Sequence, residues 1–320
     1  MPYVGVGGGI YNDIGGTVSC EVSNAERTIT FDGNDAAVAG GAMANLGTFT
    51  IRDCFIINGE ATMGGGGAVN LGELTLEKGA RITENKAIGA LGVGGGILNW
   101  EDDSLGTSTR GKLIMKDGSI DHNSARLDGG GVDNRGVFEM TGGLIGANTA
   151  TDGGGGVHMS GLNASLTLDG GNIVGNACSG NPNPNLDSHG GGIDVSSGFL
   201  TMNSGVIHDN KSAIGGGVSI YNGGLSGFEF YGGGISSNTA EYGGGVAFYR
   251  VDKPDAKSTF SMYDGGIIDN VATVEGGGVW CGNEGVFTLS GGTIERNTAS
   301  SHGGALYSWH DPLNLIQPQC

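Results

Sequence analysis

The chain of 320 residues contains 69 glycines but only 6 prolines, and 33 acidic against 15 basic residues give it a formal charge of −18. Collagen needs glycine at every third position with abundant proline, and a flexible linker would lack the regular Val, Ile, Leu and Phe found here, so neither class fits. The negative charge argues against nucleic acid and anionic membrane surfaces as partners. The remaining explanation for the glycine is a repeat architecture.

The beginning of the chain carries no export signal, and no stretch approaches the roughly 18 apolar residues of a membrane span. The segment Gly7–Ile10 already belongs to a repeat unit. We therefore expect this chain to be a piece of a longer surface protein.

Three signatures recur in fixed order along the chain. The first is a glycine followed by an apolar residue, at Gly41-Ala42, Gly67-Ala68, Gly96-Ile97, Gly131-Val132, Gly156-Val157, Gly192-Ile193, Gly217-Val218, Gly245-Val246, Gly278-Val279 and Gly304-Ala305. The second is a pair of apolar residues two apart, at Phe49/Ile51, Leu74/Leu76, Leu113/Met115, Phe138/Met140, Leu166/Leu168, Leu200/Met202, Phe228/Phe230, Phe260/Met262 and Phe287/Leu289. The third is an apolar residue three before an asparagine.

Apolar residues two apart indicate strands with one buried face. The period from Asn123 to Asn148 leaves room for three short strands with three turns, which is one coil of a β-helix. One coil buries little alone, so neighbouring coils must stack to form the core. The sequence predicts an all-β, single-stranded right-handed parallel β-helix of about ten coils over residues 1–310, followed by an irregular C-terminal tail at 311–320.

The asparagine of the third signature tolerates left-handed backbone geometry and can hydrogen-bond to its equivalent in the next coil. We predict a structural ladder of Asn58, Asn85, Asn123, Asn148, Asn176, Asn210, Asn238, Asn270 and Asn297. A second, partial column follows the glycine cluster and receives the same interpretation, at Asn12, Asn70, Asn99 and Asn134.

Two literal motifs carry a family resemblance. Gly66-Gly67-Ala68-Val69 and Phe55-Ile56-Ile57-Asn58 resemble the Gly-Gly-Ala-(Ile/Leu/Val) and Phe-x-x-Asn repeats of chlamydial polymorphic outer-membrane proteins. Elsewhere the chain uses Gly-Gly-Gly-(Val/Ile) and Ile-x-x-Asn. The resemblance implies a secreted or cell-surface β-helix that acts in adhesion. The broad fold is similar to that of pectate lyases as well.

That second similarity requires an enzyme to be considered. Lyase chemistry needs an Arg or Lys base beside calcium-binding carboxylates, and hydrolase chemistry needs carboxylates gathered on one face. Asp133, His158, Asp194 and Ser219 occupy outward positions on successive coils, but no Arg or Lys is expected beside them. We interpret this column as a solvated sheet face, and no catalytic residue, metal site or cofactor is predicted.

A column of outward threonines allows a third, structural or ice-associated alternative. It comprises Thr50, Thr75, Thr167, Thr201 and Thr288, but Ile114, Glu139 and Glu229 interrupt it. An ice-binding face would need two unbroken columns. The simpler interpretation of the threonine column is that threonine favours exposed β-strand positions.

The five cysteines, Cys20, Cys54, Cys178, Cys281 and Cys320, are odd in number and lack CxxC spacing. They predict neither a zinc site nor a disulfide framework, so we interpret them mostly as small apolar core residues. Cys178 and Cys320 lie in less regular segments and could pair in a secreted protein.

Two insertions interrupt the regular spacing between the glycine clusters and the triplets. They carry the predicted partner-binding residues Trp100, Glu101, Asp102, Asp103, Tyr249, Arg250, Asp252 and Lys253. Loops on a rigid scaffold commonly carry recognition residues. The sequence therefore predicts an extracellular or cell-surface scaffold that binds a glycan or a protein of a host or neighbouring cell.

Overall fold

The computed structural model describes residues 5–21, 28–102, 109–179, 188–222, 226–250, 258–282, 285–309 and 313–315. Every regular element in these ranges is a β-strand, and nearly all strand pairs are parallel. The chain winds as the predicted right-handed parallel β-helix, in which each strand pairs with the equivalent strand of the coils before and after it. The described ranges contain no helix long and apolar enough to cross a membrane.

Sheet 1 follows the glycine clusters and has 11 strands, one per coil. They are Ile10–Asn12, Met43–Asn45, Ala68–Asn70, Ile97–Asn99, Val132–Asn134, Val157–Met159, Ile193–Val195, Val218–Asn222, Val246–Arg250, Val279–Gly282 and Leu306–Trp309.

Sheet 2 has 19 strands and contains the triplet strand and the following strand of each coil. The triplet strands are Thr17–Cys20, Thr48–Ile51, Glu73–Leu76, Lys112–Met115, Val137–Met140, Ser226–Phe230, Ser258–Met262, Val286–Leu289 and Leu313–Leu315. The following strands are Ile29–Asp32, Cys54–Ile57, Arg81–Thr83, Ser119–Asp121, Leu144–Gly146, Gly234–Ser236, Gly266–Ile268 and Thr293–Glu295. In two coils both parts form one element, Ser165–Val174 and Gly198–His208.

The third side of the coils consists of very short strands after the asparagine. Five of them form one sheet: Glu60–Ala61, Lys86–Ala87, Ser124–Ala125, Thr149–Ala150 and Ala177–Cys178. Three more form another: Thr239–Tyr242, Val271–Glu275 and Thr298–Ala299. One antiparallel hairpin, Glu101–Asp102 with Thr109–Arg110, projects from the first predicted insertion.

The core lies inside the coils and consists of the triplet residues, the first residue of each sheet 1 strand and the predicted Ile column. Successive coils place like on like: the ring centroids of Phe228, Phe260 and Phe287 are 4.9 Å apart from one coil to the next. Offset stacked rings at this spacing add to the free energy gained by burying their area. The strand spacing thus determines the packing of the side chains.

The asparagine ladder is present from Asn85 to Asn297. Each Nδ2 donates to the Oδ1 of the next ladder asparagine at 2.9–3.0 Å, through Asn123, Asn148, Asn176, Asn210, Asn238 and Asn270. At Asn210 the same Nδ2 also donates to Ile173 O at 2.9 Å, and its backbone N–H donates to Asn238 Oδ1. The amide oxygen and the amide nitrogen therefore both have hydrogen-bond partners within the protein, as buried polar groups require.

Asn58 lies outside this ladder, contrary to the prediction. Ile56, not Phe55, pairs with Ile82, so Gly59 occupies the ladder position and donates its N–H to Asn85 Oδ1. Asn58 bonds Asp32 at the surface instead. The glycine signature is displaced by one residue in the same coil, because Met43 rather than Ala42 pairs with Ala68.

The left-handed residue of this corner also differs from the prediction. It is the residue before the ladder asparagine, with φ of 55° at His122, 53° at Ala147 and 56° at Asp209. The asparagine itself keeps ordinary backbone geometry. Its selection at this position rests on side-chain hydrogen bonding alone.

The second asparagine column is confirmed and includes one member that the sequence pattern missed. Asn12, Asn45, Asn70, Asn99 and Asn134 are linked by Nδ2 to Oδ1 bonds of 2.7–2.8 Å. Beyond Asn134 the same position holds Met159, Val195, Ile220 and Phe248. The N-terminal half of this edge is therefore polar inside, and the C-terminal half is apolar.

The cysteine prediction is wrong for one pair. Cys20 and Cys54, on neighbouring coils, form a disulfide. Cys178 and Cys281 are buried free thiols, and Cys320 lies outside the described residues. The pair was missed because its partners become neighbours only after the coils stack.

The stack continues beyond residue 310, where an irregular tail was predicted. Leu313–Leu315 pairs in parallel with Phe287–Leu289, so at least this part of 311–320 follows the coil pattern. The repeat signal was lost because the glycine cluster and asparagine do not recur after it.

The ladder gives a direct stability test. Replacing Asn210 by Ala should lower the free energy of unfolding by about 1–3 kcal/mol, because Asn176 and Ile173 lose buried hydrogen-bond partners. The exposed Asn203, whose side chain bonds Asp169 at the surface, provides the matched control. Asn203→Ala should change stability by less than about 0.5 kcal/mol. Equal denaturant midpoints for the two variants would contradict the role of the ladder.

Candidate functional site

Four polar residues occupy the middle of consecutive sheet 1 strands, with side chains directed away from the coil interior. In the parallel strand register, Asp133 lies opposite His158, His158 opposite Asp194, and Asp194 opposite Ser219. The prediction of a solvated face is wrong here: Asp133 and Asp194 are at most 1% exposed and His158 is 6% exposed.

The corner that precedes each strand covers this row. Asp128, Gly153, His189 and Ile214 form a ladder of isolated bridges alongside it. A Cβ on Gly153 would lie 2.9 Å from Asp194 Oδ2 and 3.0 Å from Asp128 Oδ1, so a side chain at this position would displace the carboxylates over which the corner passes. The outer face of sheet 1 is therefore buried beneath this corner.

In earlier coils the same space is apolar. Ala39, Ala44, Val69, Leu71, Val93 and Leu98 form a second core cluster there. The change to charge begins at Asp128 and Asp133. The second core cluster is therefore replaced by a charged cluster near the middle of the described stack.

His158 is the centre of the charged cluster. Its Nδ1 lies 3.1 Å from Asp133 Oδ1, and its Nε2 lies 3.2 Å from Ser196 Oγ and 3.6 Å from Asp194 Oδ2. The Ser196 hydroxyl donates to Asp194 Oδ2 at 2.9 Å. Both imidazole nitrogens therefore face oxygen atoms of other coils.

Arg135 closes the cluster on its exposed side. Its Nε and Nη2 lie 3.1 and 3.0 Å from Asp133 Oδ2, and its side chain is 30% exposed. The guanidinium also lies 4.5 Å from the centre of the Trp100 ring, a cation–π contact. The expectation that no Arg or Lys neighbours these carboxylates is therefore wrong.

The missed residues follow a simple rule. Arg135, Ser160 and Ser196 each lie two residues after Asp133, His158 and Asp194, and side chains two apart on an extended chain share a side. Ser160 Oγ donates to Asp133 Oδ1 at 3.3 Å. If the in-and-out alternation of side chains is extended one residue beyond the end of each strand, it identifies Arg135, Ser160 and Ser196.

The cluster shifts the pKa values of its members. Burial alone would lower the pKa of His158, but Asp128, Asp133 and Asp194 raise it to about 10. Burial raises the pKa of Asp128 to about 6 despite the attraction of His158. Asp133 is also buried, yet bonds from His158 and Arg135 hold the pKa of its carboxyl below the usual value. His158 is therefore an imidazolium at neutral pH.

The cluster contains polar atoms that are not bonded within the described residues. Asp194 Oδ1 and the neighbouring Ser219 Oγ are buried without a hydrogen-bond partner there. Across the described ranges, no group of three or more His, Cys, Asp or Glu side chains is arranged to hold a metal ion.

A separate surface on sheet 2 exposes aromatic rings. Tyr231 and Tyr263 stack on neighbouring coils with centroids 4.6 Å apart and planes 6° from parallel, and they are 43% and 41% exposed. Phe199 is 50% exposed, and its ring covers the backbone of Gly227, where a Cβ would approach it to 3.0 Å. Tyr231 Oη donates to Glu229 Oε2 at 3.1 Å. We call Phe199, Tyr231 and Tyr263 the aromatic surface.

The predicted partner-binding residues are only partly described. Trp100 is half-buried against the second core cluster, and Glu101 pairs with Arg110 at 3.3 Å across the base of the hairpin. Asp102, Tyr249 and Arg250 lie in strands whose backbone alone is described. Asp103, Asp252 and Lys253 lie outside the described residues. Trp100 thus serves as an anchor for the hairpin.

No family model, curated protein or solved structure matches this chain. The parallel β-helix is established by the strand pairing itself. The resemblance to polymorphic outer-membrane proteins or pectate lyases stays a prediction, and one of its literal motifs, Phe55–Asn58, is out of register with the ladder.

The pKa of His158 predicts how stability varies with pH. The folded value of about 10 lies above the ordinary value of 6.5, so the stabilisation is complete below pH 6.5 and is lost as pH rises to 10. Between pH 7 and 8.5 this loss amounts to about 2 kcal/mol. The raised pKa of Asp128 acts below pH 6, and the raised pKa of the buried Cys178 thiol lowers stability only near and above its ordinary value of 9.0, so neither group interferes between pH 7 and 8.5.

His158→Gln should remove this loss, measured by urea unfolding at pH 7 and 8.5. His302, whose side chain is 69% exposed, is the matched control, and His302→Gln should retain the loss. The interpretation fails if wild type and His158→Gln lose the same free energy over this interval.

Proposed function

We propose that this protein is a secreted or cell-surface scaffold that binds neutral glycans through the aromatic surface. The carrying observation is the exposed stack of Tyr231 and Tyr263, with Phe199 also exposed on sheet 2 at the strand position paired with Gly227. Exposed aromatic rings fixed on a scaffold commonly mark interaction sites. A tyrosine also offers a polar group at the rim of an apolar ring, which suits the mixed polar and apolar faces of a sugar.

Charge favours a neutral glycan as the partner. Glu229 lies beside Tyr231, and the whole chain carries −18. Uronic acid polymers would be repelled by this field, whereas sugar hydroxyls can donate to the Glu229 carboxylate. The two insertions near Trp100 and Tyr249 are further candidates for partner contacts, as predicted from the sequence.

The disulfide supports the proposed location. Cys20 and Cys54 are joined between neighbouring coils, and structural disulfides form and persist in oxidising compartments. This supports an extracellular or cell-surface site of action.

The proposal can be tested by binding to insoluble neutral polysaccharides and to a glycan array. We expect Phe199→Ala, Tyr231→Ala and Tyr263→Ala combined to weaken binding at least about tenfold, because the contacting rings are lost. Tyr11 is 45% exposed on sheet 1 and gives a control, so Tyr11→Ala should bind normally. The proposal would be rejected if the triple variant bound as well as the wild type. It would also be rejected if the chain bound a protein partner but no neutral glycan.

One observation supports the alternative that this chain is a polysaccharide-active enzyme: Arg135 contacts Asp133. Both groups are engaged with each other, and Asp133 is fully buried, so neither is placed to contact a sugar chain. We expect no unsaturated product from polygalacturonate or alginate, with or without calcium, when absorbance is followed for hours. Steady product formation that disappears in Asp133→Asn would establish the lyase instead.

A further inference from the structure

We propose that Ser196, His158 and Asp133 form a nucleophile, base and orienting carboxylate that can take an acyl group from a small neutral ester. Asp133 Oδ1 lies 3.1 Å from His158 Nδ1, and Ser196 Oγ lies 3.2 Å from His158 Nε2. These contacts connect the three groups in the order used for serine nucleophiles, and such an array is recognised by its geometry rather than by chain order. The proposal does not rest on glycan binding.

The three residues have the required placement. Asp133 and His158 are buried in successive sheet 1 strands, while Ser196 directly follows Ile193–Val195 and is only partly buried. A substrate can therefore reach the hydroxyl, with the imidazole beneath it shielded from water. Two coil-to-coil steps hold the array, so its geometry depends on the same stacking that forms the fold.

In the resting state the array is protonated. His158 donates from Nδ1 to Asp133 and from Nε2 to Ser196 Oγ, and the Ser196 hydroxyl donates to Asp194. Asp128 and Asp194 also face the imidazole, and Arg135 offsets part of the charge of Asp133. Asp152 and the Cys178 thiol lie nearby and interact with these carboxylates. The reactive form is the one that has lost the His158 proton.

With neutral His158, the Ser196 hydroxyl turns from Asp194 to Nε2. Ser196 Oγ then forms a bond to the ester carbonyl carbon while its proton moves to Nε2 and the carbonyl electron pair moves to oxygen. When the tetrahedral species collapses, the bond to the alcohol oxygen breaks and that oxygen takes the proton from Nε2. Water repeats the sequence on the acyl-serine, releasing the carboxylic acid and restoring the hydroxyl.

Turnover should be slow. The backbone N–H groups of Ser196 and Ser197 both donate to Met159 O, so they do not stabilise an oxyanion. An oxyanion hole contributes a large part of the rate in efficient acyl transfer. The surrounding carboxylates also repel anionic esters, which leaves neutral acyl groups such as acetyl as the substrate class.

The test is covalent labelling of the whole chain with diisopropyl fluorophosphate, a neutral probe, at pH 7, 8.5 and 10, followed by intact mass and peptide mapping. We expect the Ser196 adduct to form faster as pH rises because neutral His158 becomes populated. Hydrolysis of p-nitrophenyl acetate should show the same pH dependence.

Variants separate the array from ordinary serine reactivity. Ser196→Ala should lose the adduct, and His158→Gln should label at least about 100-fold more slowly at pH 10. The adjacent Ser197, whose hydroxyl accepts the Gly161 N–H at 2.7 Å, is the control, and Ser197→Ala should label as wild type. Circular dichroism verifies that each variant is folded. Absence of a Ser196 adduct in the folded wild type up to pH 10, or unchanged labelling in a folded His158→Gln variant, overturns the proposal.

Discussion

The parallel hydrogen bonding of each coil to the next is the constraint on which the structure depends. A single coil has no interior of its own, and its backbone groups find partners only above and below. Because each residue pairs with its equivalent, a residue type that suits one coil suits the next, and columns of like residues follow. The ladder from Asn85 to Asn297 is the clearest of these columns, since each amide bonds both the next side chain and the backbone. Register and sequence pattern are therefore two descriptions of one interaction.

The same stacking allows a buried charged cluster. The glycine-rich corner passes over the outer face of sheet 1 closely enough to exclude water, as the environment of Gly153 shows. Apolar residues fill that space near Leu98, and carboxylates with His158 fill it two coils later. Buried charges are tolerated when they are paired, and here the imidazolium and Arg135 compensate the carboxylates. A scaffold with this corner can hold polar chemistry beneath a glycine-rich turn, and both the stability and the proposed reactivity of the cluster then depend on the His158 proton.

The fold was predictable because its evidence is periodic. The triplets identified the inward residues correctly, and seven coil-to-coil ladder bonds link eight of the nine predicted ladder asparagines. The failures occurred where the pattern is local or non-periodic. Asn58 satisfied the spacing but not the register, and the Cys20–Cys54 pair needed knowledge of which coils adjoin.

The candidate site was less predictable for a different reason. Asp133, His158 and Asp194 were recognised as one column, yet their burial depends on a corner that carries no side chain at Gly153. An absent side chain gives no signal in a hydrophobicity pattern. The exposed aromatic surface was also missed, because Phe199, Tyr231 and Tyr263 lie outside the repeated columns and the two tyrosines stack only across coils.

The ladder also makes the stack polar in the directional sense. Every amide nitrogen from Asn85 to Asn270 donates one N–H to the asparagine oxygen of the following coil, and no ladder bond runs the opposite way among these residues. The side-chain dipoles therefore add along the axis instead of cancelling. A coil inserted in the reverse orientation would set oxygen against oxygen and nitrogen against nitrogen. The row thus rejects reversed pairing, so repeats of this kind can be gained or lost only as whole coils that run in the same direction.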